Sequence, residues 1–242
     1  MSKKVNPQDQ ALFDSLRRIS IDTVSGLLMG MGYPDQYIEE VFPIARNTKM
    51  VGRARTLRYL PVRPDLSDQM KEKYQFSLLH HAIEEIEPGD VLMVDAGGCT
   101  GSGFIGDVML SRLIVLGGTG IVVDGAIRDL TVMRDMGCPI FTRGVHAAVS
   151  QRRLIAVDYQ VCVKCSEVTV VPGDIILGDD EGSIVIPAQL AEEVAQKAIE
   201  IEDRELYLRE VIERGERPLQ EVYPPNEEVL KEYEDHRKNR DN

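Results

Sequence analysis

Three charged residues bracket one short stretch of this chain. Asp107 stands at its start, and Arg128 and Asp129 follow after twenty intervening residues. Two carboxylates and a guanidinium at the ends of one helix–strand unit could converge on a small anionic substrate and a divalent metal. A fixed guanidinium stabilises negative charge that develops on oxygen, and carboxylate oxygens are ligands that Mg²⁺ accepts. The residue types therefore indicate a small polar site, provided that the fold brings these ends together.

A glycine-rich segment overlaps the start of that stretch. Residues 101–106 read G-x-G-x-x-G between a predicted strand and a predicted helix, and Asp124 closes the next predicted strand, where a ribose-binding acid is expected. Five residues, 96–100, separate the motif from its strand, whereas a dinucleotide fingerprint turns directly out of it. A second interpretation is that the loop presents the first amides of a helix at 107–116 to a smaller anion such as a carboxylate. A third is an ordinary connection in which Asp107 balances the helix dipole.

Arg128 and Asp129 follow the strand that ends near Asp124. Ligands of open α/β sheets gather at the carboxyl ends of the strands, and the loops at 96–106 and 124–129 both leave such ends. We therefore expect the two loops to be neighbours. The alternative roles are a helix N-cap for Asp129 and a surface salt bridge for Arg128.

The cysteines and histidines indicate no metal site. Cys162 and Cys165 form a C-x-x-C in a stretch that reads as a strand, where residues three apart face opposite sides. The four histidines form neither H-x-x-x-H nor H-E-x-x-H. We expect structural or incidental thiols.

The elements that must position the charged residues follow an alternating pattern. Strands and helices alternate from residue 91 to residue 142, which favours a parallel or mixed sheet with helices packed on it. Beyond residue 150 the strands are joined by turns, which indicates antiparallel hairpins. Predicted helices cover 7–19, 22–31, 69–86, 107–116, 129–136 and 188–214. Predicted strands cover 50–60, 91–95, 120–124, 140–142, 168–171, 175–177 and 183–186.

We divide the chain into N-terminal helices that pack on the core (1–45), an α/β core that carries the active-site loops (46–190), and a C-terminal helix with a charged tail (191–242). The tail beyond Gly215 holds three prolines among many charges. It reads as a solvated extension, with an arm that clasps another subunit as the alternative.

Composition sets the outer limits on function. The 242 residues carry 28 basic against 40 acidic side chains, a net charge of −12, which argues against a nucleic-acid partner. No run of eighteen apolar residues and no apolar leader is present, so we expect no membrane partner and a cytoplasmic location. Four cysteines in a chain of this length favour a reducing compartment.

The run from Gly106-Asp107 to Arg128-Asp129 resembles the 4-hydroxy-4-methyl-2-oxoglutarate aldolase family, which includes the regulator of ribonuclease E activity A (RraA-like). The resemblance covers about residues 45–190 and extends to Pro172-Gly173-Asp174 and Val185-Ile186-Pro187. It implies a layered α/β sandwich with a mixed central sheet, swivelling β/β/α-like, with helical extensions at both ends. It also implies a homotrimer, or a hexamer built as a dimer of trimers, with sites at subunit interfaces.

The same resemblance implies the roles of individual residues. Asp129 would hold Mg²⁺ or Mn²⁺, and Arg128 would bind the 2-oxo oxygen of the substrate. Asp107 would help a water to move a proton on and off the pyruvyl methyl group. The amides around Gly106, Asp107, Val108 and Met109 would hold the substrate carboxylate. A neighbouring subunit would add an acid from the C-terminal helix, with four candidates: Glu200, Glu202, Asp203 and Glu205.

The function that follows is a divalent-metal-dependent lyase, a class II pyruvate aldolase. It would cleave a 2-oxo acid, such as a 4-hydroxy-2-oxo diacid, by a retro-aldol reaction and would also decarboxylate oxaloacetate through the same enolate. The alternatives are a non-catalytic, protein-binding regulator of a ribonuclease and a dinucleotide-binding protein.

Overall fold

The computed structural model of the chain describes residues 4–215 and 217–240. Its helices are α1 (Pro7–Leu16), α2 (Ile21–Gly30), α3 (Pro64–Tyr74), α4 (Leu78–Glu84), α5 (Asp107–Leu116), α6 (Leu130–Arg134), α7 (Ala191–Glu213), α8 (Leu219–Val222) and α9 (Glu227–Arg240). Its strands are β1 (Phe42–Pro43), β2 (Met50–Pro61), β3 (Asp90–Gly103), β4 (Gly120–Ile127), β5 (Ile140–Val145), β6 (Leu154–Tyr159), β7 (Val163–Cys165), β8 (Val168–Val170), β9 (Ile175–Asp179) and β10 (Gly182–Ile186).

One mixed sheet organises the molecule. Its strands lie in the order β1-β5-β4-β3-β2-β9-β10, and β6 pairs with β2 off this path. The four strands β2, β3, β4 and β5 are parallel neighbours, whereas β1, β6, β9 and β10 pair in antiparallel fashion. The parallel centre with antiparallel additions confirms the mixed sheet predicted from the alternating pattern.

Both faces of the sheet are covered, and β3 shows how the sequence achieves this. Leu92 and Val94 pack in one cluster with residues of α4, α5 and α6, whereas Val91 and Met93 pack in another with the β7–β8 hairpin. Successive side chains of a strand point to opposite faces, so an unbroken apolar run fits a strand buried on both sides. The result is a layered α/β sandwich, as predicted.

The N-terminal helices are fastened to the β9–β10 end of this sheet. Asn6 accepts a hydrogen bond from the Asp9 amide at 2.8 Å, and Pro7 occupies the first turn, so α1 begins where the sequence predicts. Phe13 and Val24, from α1 and α2, share a buried cluster with Ile184 of β10 and with residues of α7. The N-terminal and C-terminal helices therefore pack on each other as well as on the sheet.

The single helix predicted at 69–86 is wrong, because the structure has two helices there, α3 and α4. Gln75 takes a left-handed conformation (φ 60°) between them, and the Ser77 hydroxyl accepts a hydrogen bond from the amide of His80 at 3.3 Å to start the second helix. The apolar spacing runs through both helices, so periodicity alone does not reveal the break.

The solvated tail is also corrected by the structure. Helices α8 and α9 fold back on α7, where Leu208 and Val211 form a buried cluster with Val222 and Val229. The Tyr233 hydroxyl donates to the Asp203 carboxylate at 2.9 Å. Four apolar residues spread over three helices gave too weak a pattern for this packing to be predicted. No helix in the described part of the chain has the length and apolarity needed to cross a membrane.

Candidate active site

The glycine-rich segment is mostly strand and not loop. β3 continues to Gly103 through two register shifts, pairing Cys99 with Gly125 and Gly103 with Ala126 of β4. The Gly103 amide also donates to the Ala148 carbonyl at 2.7 Å. The predicted loop at 96–106 is therefore largely wrong, because backbone partners distant in sequence extend the strand.

The two loops that carry the charged residues are neighbours, as the strand-end rule predicts. The Arg128 amide donates to the Ile105 carbonyl at 2.8 Å. A Cβ atom added at Gly103 would overlap the Arg128 side chain, and one added at Gly106 would overlap the Asp129 carboxylate. Both glycines are thus required for the side chains of Arg128 and Asp129 to lie directly on the backbone of the opposite loop.

Asp129 occupies the N-cap position of α6 without capping it through its side chain. Its carbonyl accepts from the amides of Val132 and Met133, both at 3.0 Å, but its carboxylate makes no capping hydrogen bond. The backbone is left-handed there (φ 52°), a conformation that aspartate tolerates better than most residues. This geometry turns the carboxylate toward Gly106 and leaves it available to a ligand.

Arg128 is half-buried and has no side-chain partner among the residues that the structure describes. Its Nε atom is buried without a hydrogen-bond acceptor, and across residues 4–215 and 217–240 its guanidinium enters no ion pair. The surface salt bridge considered from the sequence is therefore wrong. Because burying an unpaired charged donor is costly, this arrangement is typical of a residue whose partner is a ligand.

The first turn of α5 forms the third wall of the site. Gly106 is the N-cap and offers no side chain, so the first amides of the helix point outward. The Asp107 carboxylate accepts from the amide of Val108 at 2.7 Å, while the side chain of Val108 is exposed. The Asp107 side chain thus occupies one of the four amides predicted to hold a carboxylate, that of Val108, and leaves those of Gly106, Asp107 and Met109 open.

The structure does not favour a dinucleotide at this motif. Asp124, the candidate ribose ligand, is only 3% exposed and is paired with Arg143, which also pairs with Glu40. A carboxylate held in a buried ion pair cannot reach a ribose. Gly101 and Gly103 lie within β3, whereas the dinucleotide fingerprint forms a turn.

Two of the four candidate acids of the C-terminal helix are engaged within their own chain. The Glu202 carboxylate accepts from the Ser20 amide at 2.9 Å and from the Thr23 hydroxyl at 2.9 Å, tying α7 to α2. Asp203 binds the Tyr233 hydroxyl and, at 2.7 Å, Arg240. Glu200 and Glu205 are the candidates that these contacts leave open.

Partial burial disfavours the charged form of the Glu202 carboxyl, and by itself this would raise the pKa. The hydrogen bonds from Ser20 and Thr23 outweigh the effect of burial, so the pKa of Glu202 lies below its ordinary value of 4.5.

At two of the cysteines burial is the larger effect. Burial raises the pKa of the Cys138 thiol to about 12 and raises that of Cys165 as well. All four cysteines are free thiols.

Sequence reasoning missed one cation beside this site. The Arg153 guanidinium packs against Gly101, where an added Cβ would meet its Nε at 2.7 Å. The segment at 146–153 carried no motif, and only its pairing with the end of β3 through Val149 brings it here.

Comparison with known proteins decides the family. The RraA-like family model, described as Aldolase/RraA, matches residues 13–185. The chain belongs to the RraA-like family. The matched region of this RraA-like protein contains Gly106, Asp107, Arg128 and Asp129, whereas α7, α8 and α9 lie wholly beyond it.

Individual relatives agree with this assignment. A protein of Halalkalibacterium halodurans, provisionally named a 4-hydroxy-4-methyl-2-oxoglutarate aldolase, is 37% identical over 156 residues, or 64% of this chain and 68% of that protein. Streptomyces coelicolor RraAS2, described as an unusual member of the RNase ES inhibitor RraA family, is 35% identical with a TM-score of 0.75, covering 82% of this chain and 96% of that one. An uncharacterized Pseudomonas syringae pv. tomato protein shares the fold, with a TM-score of 0.78 at 24% identity over 92% of this chain and 95% of that one.

Proposed function

We propose that this RraA-like protein is a divalent-metal-dependent lyase that cleaves a 2-oxo acid to release pyruvate. One observation carries the proposal: within residues 4–215 and 217–240 the partially buried Arg128 guanidinium has no protein partner, and the neighbouring Asp129 carboxylate makes no capping hydrogen bond. A site kept only for its shape would not need to leave both groups unpaired. Their charges suit a substrate whose oxygen gains negative charge during the reaction.

In this proposal Arg128 binds the 2-oxo oxygen of the substrate. When the C3–C4 bond of a 4-hydroxy-2-oxo acid breaks, the C4 hydroxyl gives its proton to the water beside Asp107 and becomes a carbonyl. The electron pair of the broken bond passes into the enolate of pyruvate, whose oxygen gains charge. The fixed guanidinium stabilises that charge more in the transition state than in the ground state. The open amides at Asp107 and Met109 hold the adjacent C1 carboxylate.

The residues present fit a hydrated divalent ion. In the described part of the chain, no three His, Cys, Asp or Glu side chains form a metal-binding cluster. Mg²⁺ and Mn²⁺ suit such a sparse donor set, because a hard ion of this kind retains waters and accepts substrate oxygens as ligands. Asp129 is the residue that would hold the ion, since its carboxylate makes no capping hydrogen bond and packs against Gly106. Such an ion, when bound, polarises the 2-oxo group.

Asp107 has the proton-transfer role in this proposal. It opens α5 next to Gly106 and is partly exposed, so a water can lie between its carboxylate and the substrate. Through that water Asp107 delivers a proton to C3 of the enolate, which gives pyruvate, and removes it in the reverse direction. Oxaloacetate yields the same enolate when its C3–C4 bond breaks and CO₂ leaves, so decarboxylation uses the same groups.

The assembly we propose is a homotrimer or a dimer of trimers, with the site completed by a neighbouring copy. Of the C-terminal acids, Glu200 and Glu205 are the ones we propose for that role, because Glu202 and Asp203 already hold hydrogen bonds within their own chain.

A second function has a specific observation in its favour. The similarity to RraAS2 extends over 96% of that chain, and the net charge of −12 suits a basic partner such as an RNA-processing enzyme. Regulation of a ribonuclease by binding is therefore the rival. It assigns no role to the unpartnered Arg128 and Asp129 side chains, which is why the lyase is preferred.

The experiment is a pyruvate-release assay on the purified full-length chain with oxaloacetate and with 4-hydroxy-2-oxo acids. Because Mg²⁺ alone decarboxylates oxaloacetate slowly, Arg128→Ala protein at equal metal concentration supplies the background. The lyase proposal requires release above that background and its abolition by EDTA. Absence of EDTA-sensitive activity on every 2-oxo acid tested, together with recovery of a ribonuclease in a pull-down, would establish the rival.

A further inference from the structure

A short turn at residues 146–148 packs on the same glycine as the side chain of Arg128. A Cβ atom added at Gly103 would overlap the Cγ atom of Arg128 and would come within 2.6 Å of the carbonyl oxygen of His146. The backbone of the turn and the hydrocarbon stem of Arg128 therefore meet at Gly103. Because close-packed groups transmit a displacement to their neighbours, the position of the turn sets where the stem, and with it the guanidinium, can lie.

Two backbone hydrogen bonds fasten this turn to the strands that lead into the site. The Gly103 amide donates to the Ala148 carbonyl at 2.7 Å, and the His146 amide donates to the Ile127 carbonyl at 2.9 Å. Gly103 ends β3, and Ile127 ends β4 directly before Arg128. The turn is thus attached both to the glycine under the Arg128 stem and to the residue that precedes Arg128 in the chain.

The imidazole of His146 closes the turn. Its Nδ1 atom accepts a hydrogen bond from the Ala148 amide at 3.0 Å. A backbone amide can only donate, so Nδ1 is the acceptor and the neutral ring carries its proton on Nε2. Within residues 4–215 and 217–240 this is the one hydrogen bond that the ring makes. The side chain therefore acts in this turn as asparagine acts in an Asx turn, where a side chain accepts from the amide two residues on.

We propose that His146 is a positioning residue for the reaction and that it acts through Arg128. The proposal rests on the lyase function above, in which Arg128 stabilises the developing enolate. A fixed donor is effective because it needs no reorganisation during the reaction. When the acceptor on His146 is removed, the Ala148 amide loses its partner and the turn is held less firmly against Gly103. The Arg128 stem then loses a fixed neighbour, while the amides that hold the substrate carboxylate stay in place.

The test compares His146→Ala with His146→Asn in the Mg²⁺-dependent decarboxylation of oxaloacetate. Alanine removes the acceptor, and kcat falls about 10-fold with little change in KM. This loss is smaller than that for removal of Arg128, because the guanidinium is misplaced and not absent. Asparagine restores an acceptor for the amide two residues on, and kcat returns to within about 3-fold of the wild-type value. Thermal unfolding checks that both variants are folded.

Combination with Arg128→Lys measures whether the effect passes through Arg128. Residues that act through each other are non-additive, so His146→Ala lowers kcat by less than about 3-fold when the planar guanidinium is already absent. Wild-type kcat in His146→Ala, an equal loss in His146→Asn, or an equal loss in the lysine background overturns the assignment and leaves the lyase intact. A wild-type protein that releases no pyruvate from any 2-oxo acid tested overturns the lyase, and the role of His146 with it.

Discussion

The carboxylate of Asp129 lies so close to Gly106 that a single methyl group on that glycine would overlap it. This contact joins the loop after β4 to the start of α5, and it fixes the carboxylate that we propose for the metal relative to the amides that we propose for the substrate. The glycine is thus as much a part of the site as the charged side chains.

Replacement of Gly106 by alanine is the sharpest test of that contact. The added methyl group displaces the Asp129 carboxylate, and kcat/KM for pyruvate release falls by about 10²-fold, because an ångström of misplacement is costly in catalysis. The apparent affinity for Mg²⁺, measured from the metal dependence of the rate, weakens in parallel. Gly26→Ala serves as the control, since nothing lies within 4 Å of its added Cβ in α2. Equal activity in the two variants would contradict the close-packed site.

Arg128 is predicted to act through the planar, two-point geometry of its guanidinium and not only through its positive charge. Arg128→Ala lowers kcat by about 10²- to 10³-fold, the range typical of removing one fixed donor from a developing oxyanion. Arg128→Lys recovers only part of that loss, because an ammonium cannot form the planar two-point contact. Steady-state kinetics measure both effects, and thermal unfolding checks that the fold is intact. A lysine variant with wild-type kcat would show that charge alone is sufficient.

The side chain of Asp107 is predicted to move a proton, whereas only its backbone amide holds the substrate. Asp107→Asn lowers kcat by about 10²- to 10⁴-fold, as expected for loss of a general acid–base, with little change in KM. Asp135→Asn, which removes one exposed carboxylate just after α6, keeps the wild-type rate. If KM rises and kcat does not change, Asp107 binds the substrate and the proton-transfer role is wrong.

Glu202 links stability to pH. Its folded-state pKa is depressed, so its contribution is present above its ordinary pKa of 4.5 and is lost as the pH falls through the lower, folded value. Glu202→Gln therefore lowers the free energy of unfolding at pH 7 by roughly 1 kcal/mol, after allowance for solvent screening. The difference from wild type shrinks in acid, once the pH has fallen below the folded-state pKa of Glu202.

Urea unfolding at pH 7 and in acid measures that difference. Glu213→Gln, an exposed acid of the same helix, serves as the control and leaves stability unchanged. A Glu202→Gln variant as stable as wild type at pH 7 would show that the contacts with Ser20 and Thr23 contribute nothing.

The parts of the fold that could be predicted are those set by local pattern and by the ends of parallel strands. α5 begins at Asp107 as predicted, because Gly106 precedes it and the apolar spacing follows. The meeting of Arg128 with the 101–106 segment could be predicted because both follow adjacent parallel strands.

The rest depended on contacts between segments distant in sequence. The extension of β3 to Gly103 needs the carbonyl of Ala148, and Arg153 reaches Gly101 only because its segment pairs there. The return of α9 onto α7 depends on Val229 meeting a cluster built from three helices. None of these contacts leaves a mark in the spacing of nearby residues.

We propose that Arg128 and Asp129 stabilise the enolate of pyruvate, and hydrogen exchange at the pyruvate methyl group measures that step directly. Pyruvate is incubated in D₂O with the full-length protein and Mg²⁺, and deuterium entering its methyl group is followed by NMR. We predict EDTA-sensitive exchange by the wild-type protein and a loss of at least about 10²-fold in Asp129→Asn. Exchange by Asp129→Asn at the wild-type rate, or no metal-dependent exchange by the wild-type protein, would contradict it.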